Sequence, residues 1–76
     1  MTADKIEIGE RYIITGVTPC DVQLKLTEMG CIKGITIVKL FEAAFRGPIA
    51  FSIGDAYTLS MRISEANKIQ VQKIVA

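Results

Sequence analysis

A short helix followed by strand-length segments is the feature that most constrains the fold. Residues 18–30, TPCDVQLKLTEMG, carry signals for both ends of a helix. Thr18 suits the N-cap, Pro19 suits the first helical turn, and Gly30 supplies a left-handed stop. The segments after Gly30 have the pattern of β-strands. One helix set into a series of strands predicts a small β-barrel and gives no indication of a catalytic centre.

Glycine and proline residues divide the rest of the chain into segments of strand length. We predict five strands, over residues 11–17, 35–42, 49–53, 57–63 and 69–74, and a short helical turn over 64–67 before the last of them. The chain of 76 residues is short enough to form one domain, over 1–76. The expected fold class is therefore mainly β: a small five-stranded barrel with one α-helix between its first two strands.

The third and fourth strands alternate between apolar and polar residues. Directly paired residues of an antiparallel ladder share a face, so a two-residue turn at Gly54-Asp55 would place the two apolar rows on opposite faces. We therefore predict a three-residue connection, or a two-residue turn carrying a bulge. The expected pairs are Ile53 with Tyr57, Phe51 with Leu59, and Ile49 with Met61.

Three apolar features have no obvious place in a small core. Leu24 falls on the helix face opposite Leu26 and is expected to meet solvent. Phe45, at the centre of the loop over 42–48, either folds back to plug the end of the barrel or forms an exposed anchor for a partner. The strand over 35–41 is apolar on both faces, which is typical of a strand covered by a helix or bent across two sheets.

Composition and charge exclude several functional classes. The net charge is +1 with no basic stripe, so we expect no nucleic-acid partner. The N-terminus has no apolar signal core, and the apolar runs are far shorter than the ~20 residues that span a bilayer, so we expect a soluble cytoplasmic protein without direct membrane insertion. Half of the residues are hydrophobic, which favours a protein partner or self-association.

No catalytic, cofactor-binding or metal-ligating set stands out in the chain. Histidine is absent, and the spacing of Cys20 and Cys31 fits no zinc pattern. The eight carboxylates are scattered, and no phosphate-binding glycine loop is present. We expect both cysteines to be small buried or half-buried residues, no metal and no cofactor, and a protein that is not an enzyme.

Residues 26–38, LTEMGCIKGITIV, resemble the signature of the FeoA family, small cytoplasmic accessory proteins of bacterial ferrous-iron uptake. The signature has a leucine, then Met29-Gly30, then a second glycine, Gly34, that opens a strand. Further landmarks follow in the family's order: Gly47-Pro48-Ile49 at the middle hairpin, and Ser64-Glu65-Ala66 ahead of the last strand. The resemblance covers approximately residues 6–74.

This resemblance implies an SH3-like barrel, a fold also found in the C-terminal domain of repressors similar to the diphtheria toxin repressor. It also implies a partner, the membrane ferrous-iron transporter FeoB, which has a cytosolic GTP-binding domain. On that basis we expect a non-enzymatic adaptor that docks on the cytosolic side of FeoB and modulates transport. Leu24 and Phe45 are the predicted partner-binding residues.

Two other functions remain open at this point. A direct Fe²⁺ carrier could use Cys20, Cys31, Met29 and nearby carboxylates, although ferrous iron prefers nitrogen and oxygen ligands and the chain lacks histidine. Alternatively, uncovered strand edges could support self-association into a homo-oligomer with a structural role.

Overall fold

The computed structural model describes residues 1–74; Val75 and Ala76, the last two residues of the domain predicted over 1–76, lie outside the described residues. A 3₁₀ turn at Ala3–Lys5 precedes the first strand. The other elements are β1 (Arg11–Val17), α1 (Gln23–Glu28), β2 (Thr36–Glu42), β3 (Ile49–Ile53), β4 (Tyr57–Met61), α2 (Ile63–Ala66) and β5 (Ile69–Lys73). The first and third strands have the predicted bounds, and the other three are one or two residues shorter than predicted.

The five strands form one antiparallel sheet in the order β4-β3-β2-β1-β5. Within residues 1–74 the two outer strands do not pair with each other, so the sheet is open and a closed barrel is not confirmed. The predicted fourth strand is too long by two residues because the Arg62 N–H donates to the Glu65 carboxylate, at 3.0 Å, and so begins α2. The mainly β class and the helical turn before the last strand are confirmed.

The predicted register of the middle hairpin is confirmed. Ile53 pairs with Tyr57, and Phe51 pairs with Leu59. Residues 54–56 form the three-residue connection. The apolar row of β3 is buried in the core together with Leu26 from α1 and Met61 from β4.

Strand β2 departs from the expectation of two covered faces. Its register against β3 shifts between Lys39 and Phe41, which turns the strand at Leu40. Leu40 and Phe41 are then 42% and 57% exposed, while the Lys39 side chain is buried with 5% exposure. Covering by a helix is thus wrong for this end of the strand. Lys39 shares the buried face of Ile37 through the alternation of the strand, and the bulge after it directs Phe41 to solvent.

The start of the helix also differs from the prediction. Thr18 does not cap α1; its N–H donates to the Lys68 carbonyl at 2.8 Å, and its hydroxyl accepts from the Gln70 amide, so it continues the pairing of β1 with β5. Helix α1 begins four residues later than a cap at Thr18 requires, after a turn over residues 19–22. Pairing with β5 competes with capping, and the strand contact prevails.

The predicted stop at Gly30 is confirmed. Gly30 has a φ of +94°, and its N–H donates to the Thr27 carbonyl at 3.1 Å. The Cys31 N–H donates to the Leu26 carbonyl at 3.0 Å, which completes a Schellman motif. Neither helix in the described part of the chain has the length and apolar character needed to cross a bilayer.

Candidate partner-binding surface

Phe45 lies at the tip of the loop that joins β2 to β3. Its side chain is fully exposed, with a relative exposure of 101%. Phe45 therefore does not fold back to plug the end of the sheet. Its side chain is exposed, as the second alternative requires. Its role as a partner anchor stays a prediction.

The backbone at this tip has an unfavourable conformation. Phe45 and Arg46 both have a φ of 59°, and the Gly47 N–H donates to the Ala44 carbonyl at 3.2 Å. Two successive positive φ values are the pattern of a type I′ turn, which favours Asn, Asp and Gly. A residue with a β-carbon has a cost of about 1–2 kcal/mol in this region. The neighbouring hairpin makes the same pattern with Gly54 and Asp55, which suit it.

The loop is also tightly closed below its tip. The Ala43 N–H donates to the Pro48 carbonyl at 3.0 Å. A β-carbon at Gly47 would lie 2.8 Å from the Ala43 β-carbon and 3.1 Å from the Ala44 carbonyl oxygen. Since only glycine fits there, the backbone presents Phe45 and Arg46 in a defined position.

Leu24, the second predicted partner-binding residue, lies on the outer face of α1. Its side chain is 70% exposed, whereas Leu26 on the opposite face is buried. Two hydrogen bonds anchor the helix: Lys25 donates to Glu65 of α2 at 2.6 Å, and the Tyr57 hydroxyl of β4 donates to the carbonyl of Met29, which follows the helix. Leu24 is therefore exposed to solvent on a short helix that is anchored to the sheet and to α2.

Leu24 and Phe45 do not touch, since the side chain of Phe45 is fully exposed within residues 1–74. The elements that carry them flank α2. On one side, α2 binds α1 through the pair formed by Lys25 and Glu65. On the other, an open groove of about 420 Å³ separates α2 from the loop between β2 and β3. The groove is lined by Arg46, Gly47, Pro48, Arg62, Ile63, Ser64 and Asn67.

Sequence reasoning missed three cations of structural interest. Arg46 and Arg62 both line the groove, although they are 16 positions apart in the chain. Lys39 is buried and donates to the Asp4 carbonyl and to the Glu42 carboxylate, each at 3.0 Å. The sequence signal for Lys39 was its position inside an apolar strand, where a charge needs partners.

Among the carboxylates of the described residues, Glu65 is the one whose pKa is shifted, and it lies in α2, beside the groove. The hydrogen bond from Lys25, followed by the one from the Arg62 N–H, holds the pKa of Glu65 below its usual range. Glu65 therefore stays ionised at neutral pH. The carboxylate of Glu65 is hydrogen-bonded to these two donors. The positive charges of Arg46 and Arg62 therefore dominate the groove.

The cysteines behave as expected for small apolar residues. Cys31 is buried and Cys20 is half-buried, and both are free thiols. Burial raises the pKa of the Cys31 thiol to about 11, so it carries its proton at neutral pH. Within residues 1–74, no three His, Cys, Asp or Glu side chains are grouped to hold a metal ion; in particular, the two cysteines form no such group with a carboxylate.

Solved structures similar to this one share its fold over nearly the whole chain. The FeoA-like protein from Clostridium acetobutylicum is 30% identical, covers 100% of this chain and 88% of its own, and has a TM-score of 0.88. FeoA from Stenotrophomonas maltophilia, complexed with zinc and described as an SH3 domain protein, is 22% identical, covers 95% of this chain and 89% of its own, and has a TM-score of 0.82.

A third similar structure extends the fold to a larger protein. ScaR with bound Zn²⁺ is 24% identical and has a TM-score of 0.82, with 97% of this chain matching 37% of ScaR. At this identity the likeness shows the fold alone, and it agrees with the resemblance to repressor C-terminal domains. A comparison with curated protein sequences finds no match.

A family model independently covers almost the whole sequence. The FeoA domain model matches residues 1–73. The match spans all eight elements of the structure, from the 3₁₀ turn to β5. The fold is thus SH3-like in the sense used for the Stenotrophomonas protein, with five antiparallel strands and two short helices. The chain belongs to the FeoA family.

Proposed function

We propose that this protein is a cytoplasmic, non-enzymatic accessory protein of bacterial ferrous-iron uptake that binds the cytosolic part of the transporter FeoB as a single domain. Membership of the FeoA family supports the link to iron uptake. The Stenotrophomonas relative is described as a candidate activating factor for ferrous-iron transport, which supports an accessory role for this chain as well.

The observation that carries the proposal is the conformation of Phe45. An exposed aromatic side chain gains nothing from burial in the monomer, and its positive φ disfavours the folded state. Strained residues that persist are concentrated at functional sites. Aromatic side chains are also enriched among the residues that dominate binding energy at interfaces. These properties fit an anchor that is buried only in a complex.

Leu24 provides a second apolar contact on the opposite side of α2. Its exposure and the anchoring of α1 support a role in the same interface. Binding modulates transport only if the protein has different affinities for two states of the transporter, since equal affinity shifts no equilibrium. We propose that the surface formed by Leu24 and Phe45 makes contacts that exist in one transporter state.

Capture of the transporter's cytosolic part by the purified protein tests this proposal, first with Fe²⁺ chelated and then with Fe²⁺ supplied. The adaptor predicts capture under both conditions. A Cys20→Ser, Cys31→Ala variant should capture equally well, because Cys31 is enclosed and protonated at neutral pH. Capture that requires Fe²⁺ and both thiols, or no capture at all, would refute the adaptor.

A further inference from the structure

The groove between α2 and the loop joining β2 to β3 has a one-sided charge. Among the described residues, seven line it, of which two are arginines and none is acidic. Arg46 and Arg62 are both exposed, and neither takes part in an ion pair with the described residues. Glu65, the acidic residue of α2, is engaged by Lys25 at 2.6 Å and by the Arg62 N–H at 3.0 Å. The two guanidinium groups therefore keep their donors available.

Both arginines extend from well-defined backbone. Arg46 occupies the strained turn that Gly47 closes, with a φ of 59°. Arg62 precedes α2 and is held by the hydrogen bond of its own N–H to Glu65. A guanidinium group presents a planar fork of donors that matches a carboxylate in a bidentate arrangement. The groove thus presents two guanidinium groups, each carried by a backbone position that is held by hydrogen bonds.

The volume of the groove and the uncharged part of its lining indicate the kind of ligand that it binds. Its volume of about 420 Å³ is within the usual range for a small-ligand pocket, enough for a few side chains of a chain segment. Pro48 and Ile63 contribute apolar surface beside the arginines. Phe45 immediately precedes Arg46 in the same turn, and its fully exposed side chain is available to contact a bound segment outside the groove. Cationic and apolar groups together match a peptide that carries both carboxylates and apolar side chains.

We propose that this groove binds an acidic segment of the protein partner, with Arg46 and Arg62 as its carboxylate-binding residues and Phe45 packing beside them. This inference rests on the proposed function, since it names the chemistry of the partner segment at the same surface. A nucleic acid is disfavoured because the net charge is only +1, and phosphate contacts need a broader basic surface. A small anion alone would leave Phe45 and the apolar lining without a role.

The test measures the affinity of the full-length protein for the transporter's cytosolic part. An Arg46→Gln, Arg62→Gln variant should bind about tenfold more weakly or worse and lose most of the salt dependence of binding. A Lys5→Gln, Lys33→Gln variant removes the same charge from positions outside the groove and should stay within about twofold of the wild type. Unchanged affinity in the arginine variant, or equal losses in both variants, would overturn the inference.

A second measurement separates this inference from the proposed function. If the wild type fails to capture the transporter, the proposed function has failed, and the groove is then probed with poly-L-glutamate by amide chemical shifts. Shifts confined to Arg46, Arg62, Ile63 and Asn67, and absent from the arginine variant, support an acidic-segment site. Shifts spread over the surface lysines, or an equal response to inorganic phosphate, would overturn it.

Discussion

The Tyr57 hydroxyl of β4 donates a hydrogen bond to the Met29 carbonyl, at the point where helix α1 ends. Gly30 follows immediately, with a φ of +94°. A β-carbon at Gly30 would overlap the Tyr57 hydroxyl. Glycine at this position therefore serves two purposes: it permits the left-handed backbone, and it leaves room for the side chain that fastens α1 to the sheet.

Replacing Gly30 by alanine should destabilise the protein by about 2 kcal/mol or more. Strain in the left-handed region adds to the loss of the hydrogen bond from the Tyr57 hydroxyl to the Met29 carbonyl, because the hydroxyl must move away from the added β-carbon. Gly34 provides a matched control because it has the same φ of +94°, and a β-carbon added there would have no atom within 4 Å. Gly34→Ala should cost only about 1–2 kcal/mol. Urea unfolding of both variants measures the difference.

The excess cost at Gly30 should depend on the Tyr57 hydroxyl. In a Tyr57→Phe background, Gly30→Ala should be less destabilising than in the wild type, which a double-mutant cycle detects as a coupling energy. The same background should leave the cost of Gly34→Ala unchanged. Equal costs for the two glycines in every background would contradict the steric role assigned to Tyr57.

Because the turn at Phe45 and Arg46 is strained, we expect a variant that relieves the strain to be more stable and to bind the transporter more weakly. Phe45→Asn combined with Arg46→Gly installs the residues that a type I′ turn favours, and should raise the free energy of unfolding by about 1–2 kcal/mol. In a domain of this size, each kcal/mol corresponds to about 4–8 °C in Tm. Calorimetry measures the gain, and transporter capture should be lost in the same variant.

The neighbouring hairpin supplies the control for that variant. Gly54→Asn with Asp55→Gly places the same dipeptide in a turn that already has favourable residues. Its stability should change by less than about 1 kcal/mol, including the loss of the exposed ion pair between Arg11 and Asp55, and capture should persist. A destabilised Phe45→Asn, Arg46→Gly variant would show that the turn is not strained.

Replacing buried Lys39 should destabilise the N-terminal segment, residues 1–8. Lys39→Met keeps the length of the side chain but leaves the Asp4 carbonyl without its donor and Glu42 without its cation. We expect a loss of about 1–3 kcal/mol and faster amide hydrogen exchange in residues 1–8. Exposed Lys33→Met should change neither quantity. Unchanged exchange in Lys39→Met would show that the lysine does not anchor this segment.

Glu65 predicts a pH dependence of stability. Its folded-state pKa is lowered by the hydrogen bonds from Lys25 and from the Arg62 N–H. The resulting stabilisation is present above the unfolded-state pKa of about 4.3 and is lost as the pH falls through the folded-state value. Thermal unfolding between about pH 7 and pH 2 should show this acid loss in the wild type and a smaller one in Glu65→Gln. Identical pH profiles would contradict the shift.

The parts of the fold that depend on local pattern were predictable from the sequence. The alternation in β3 and β4 determined the pairing of Ile53 with Tyr57, and Gly30 marked the end of α1. Both follow from rules that involve only a few neighbouring residues. Leu24 was placed on an exposed helix face by the same kind of reasoning, and it is exposed.

The features that depend on distant contacts were not predictable. Thr18 has the chemistry of an N-cap, but its hydrogen bonds go to Lys68 and Gln70, far away along the chain. The bulge at Leu40 exposes Phe41, and no local sequence signal predicts that bulge. Arg46 and Arg62 meet at one groove only because α2 packs beside the loop between β2 and β3.

We propose that the exposed surface carrying Leu24 and Phe45 binds the cytosolic part of FeoB. Calorimetric titration of that part with the wild type, Leu24→Ser, Phe45→Ser and a control, Ile74→Ser, measures the contribution of each side chain. Ile74 is also an exposed apolar residue but lies beyond β5. We expect a loss of affinity of about tenfold or more for Phe45→Ser, a smaller loss for Leu24→Ser, and none for Ile74→Ser. Equal affinities for all four proteins, with their folds intact, would contradict it.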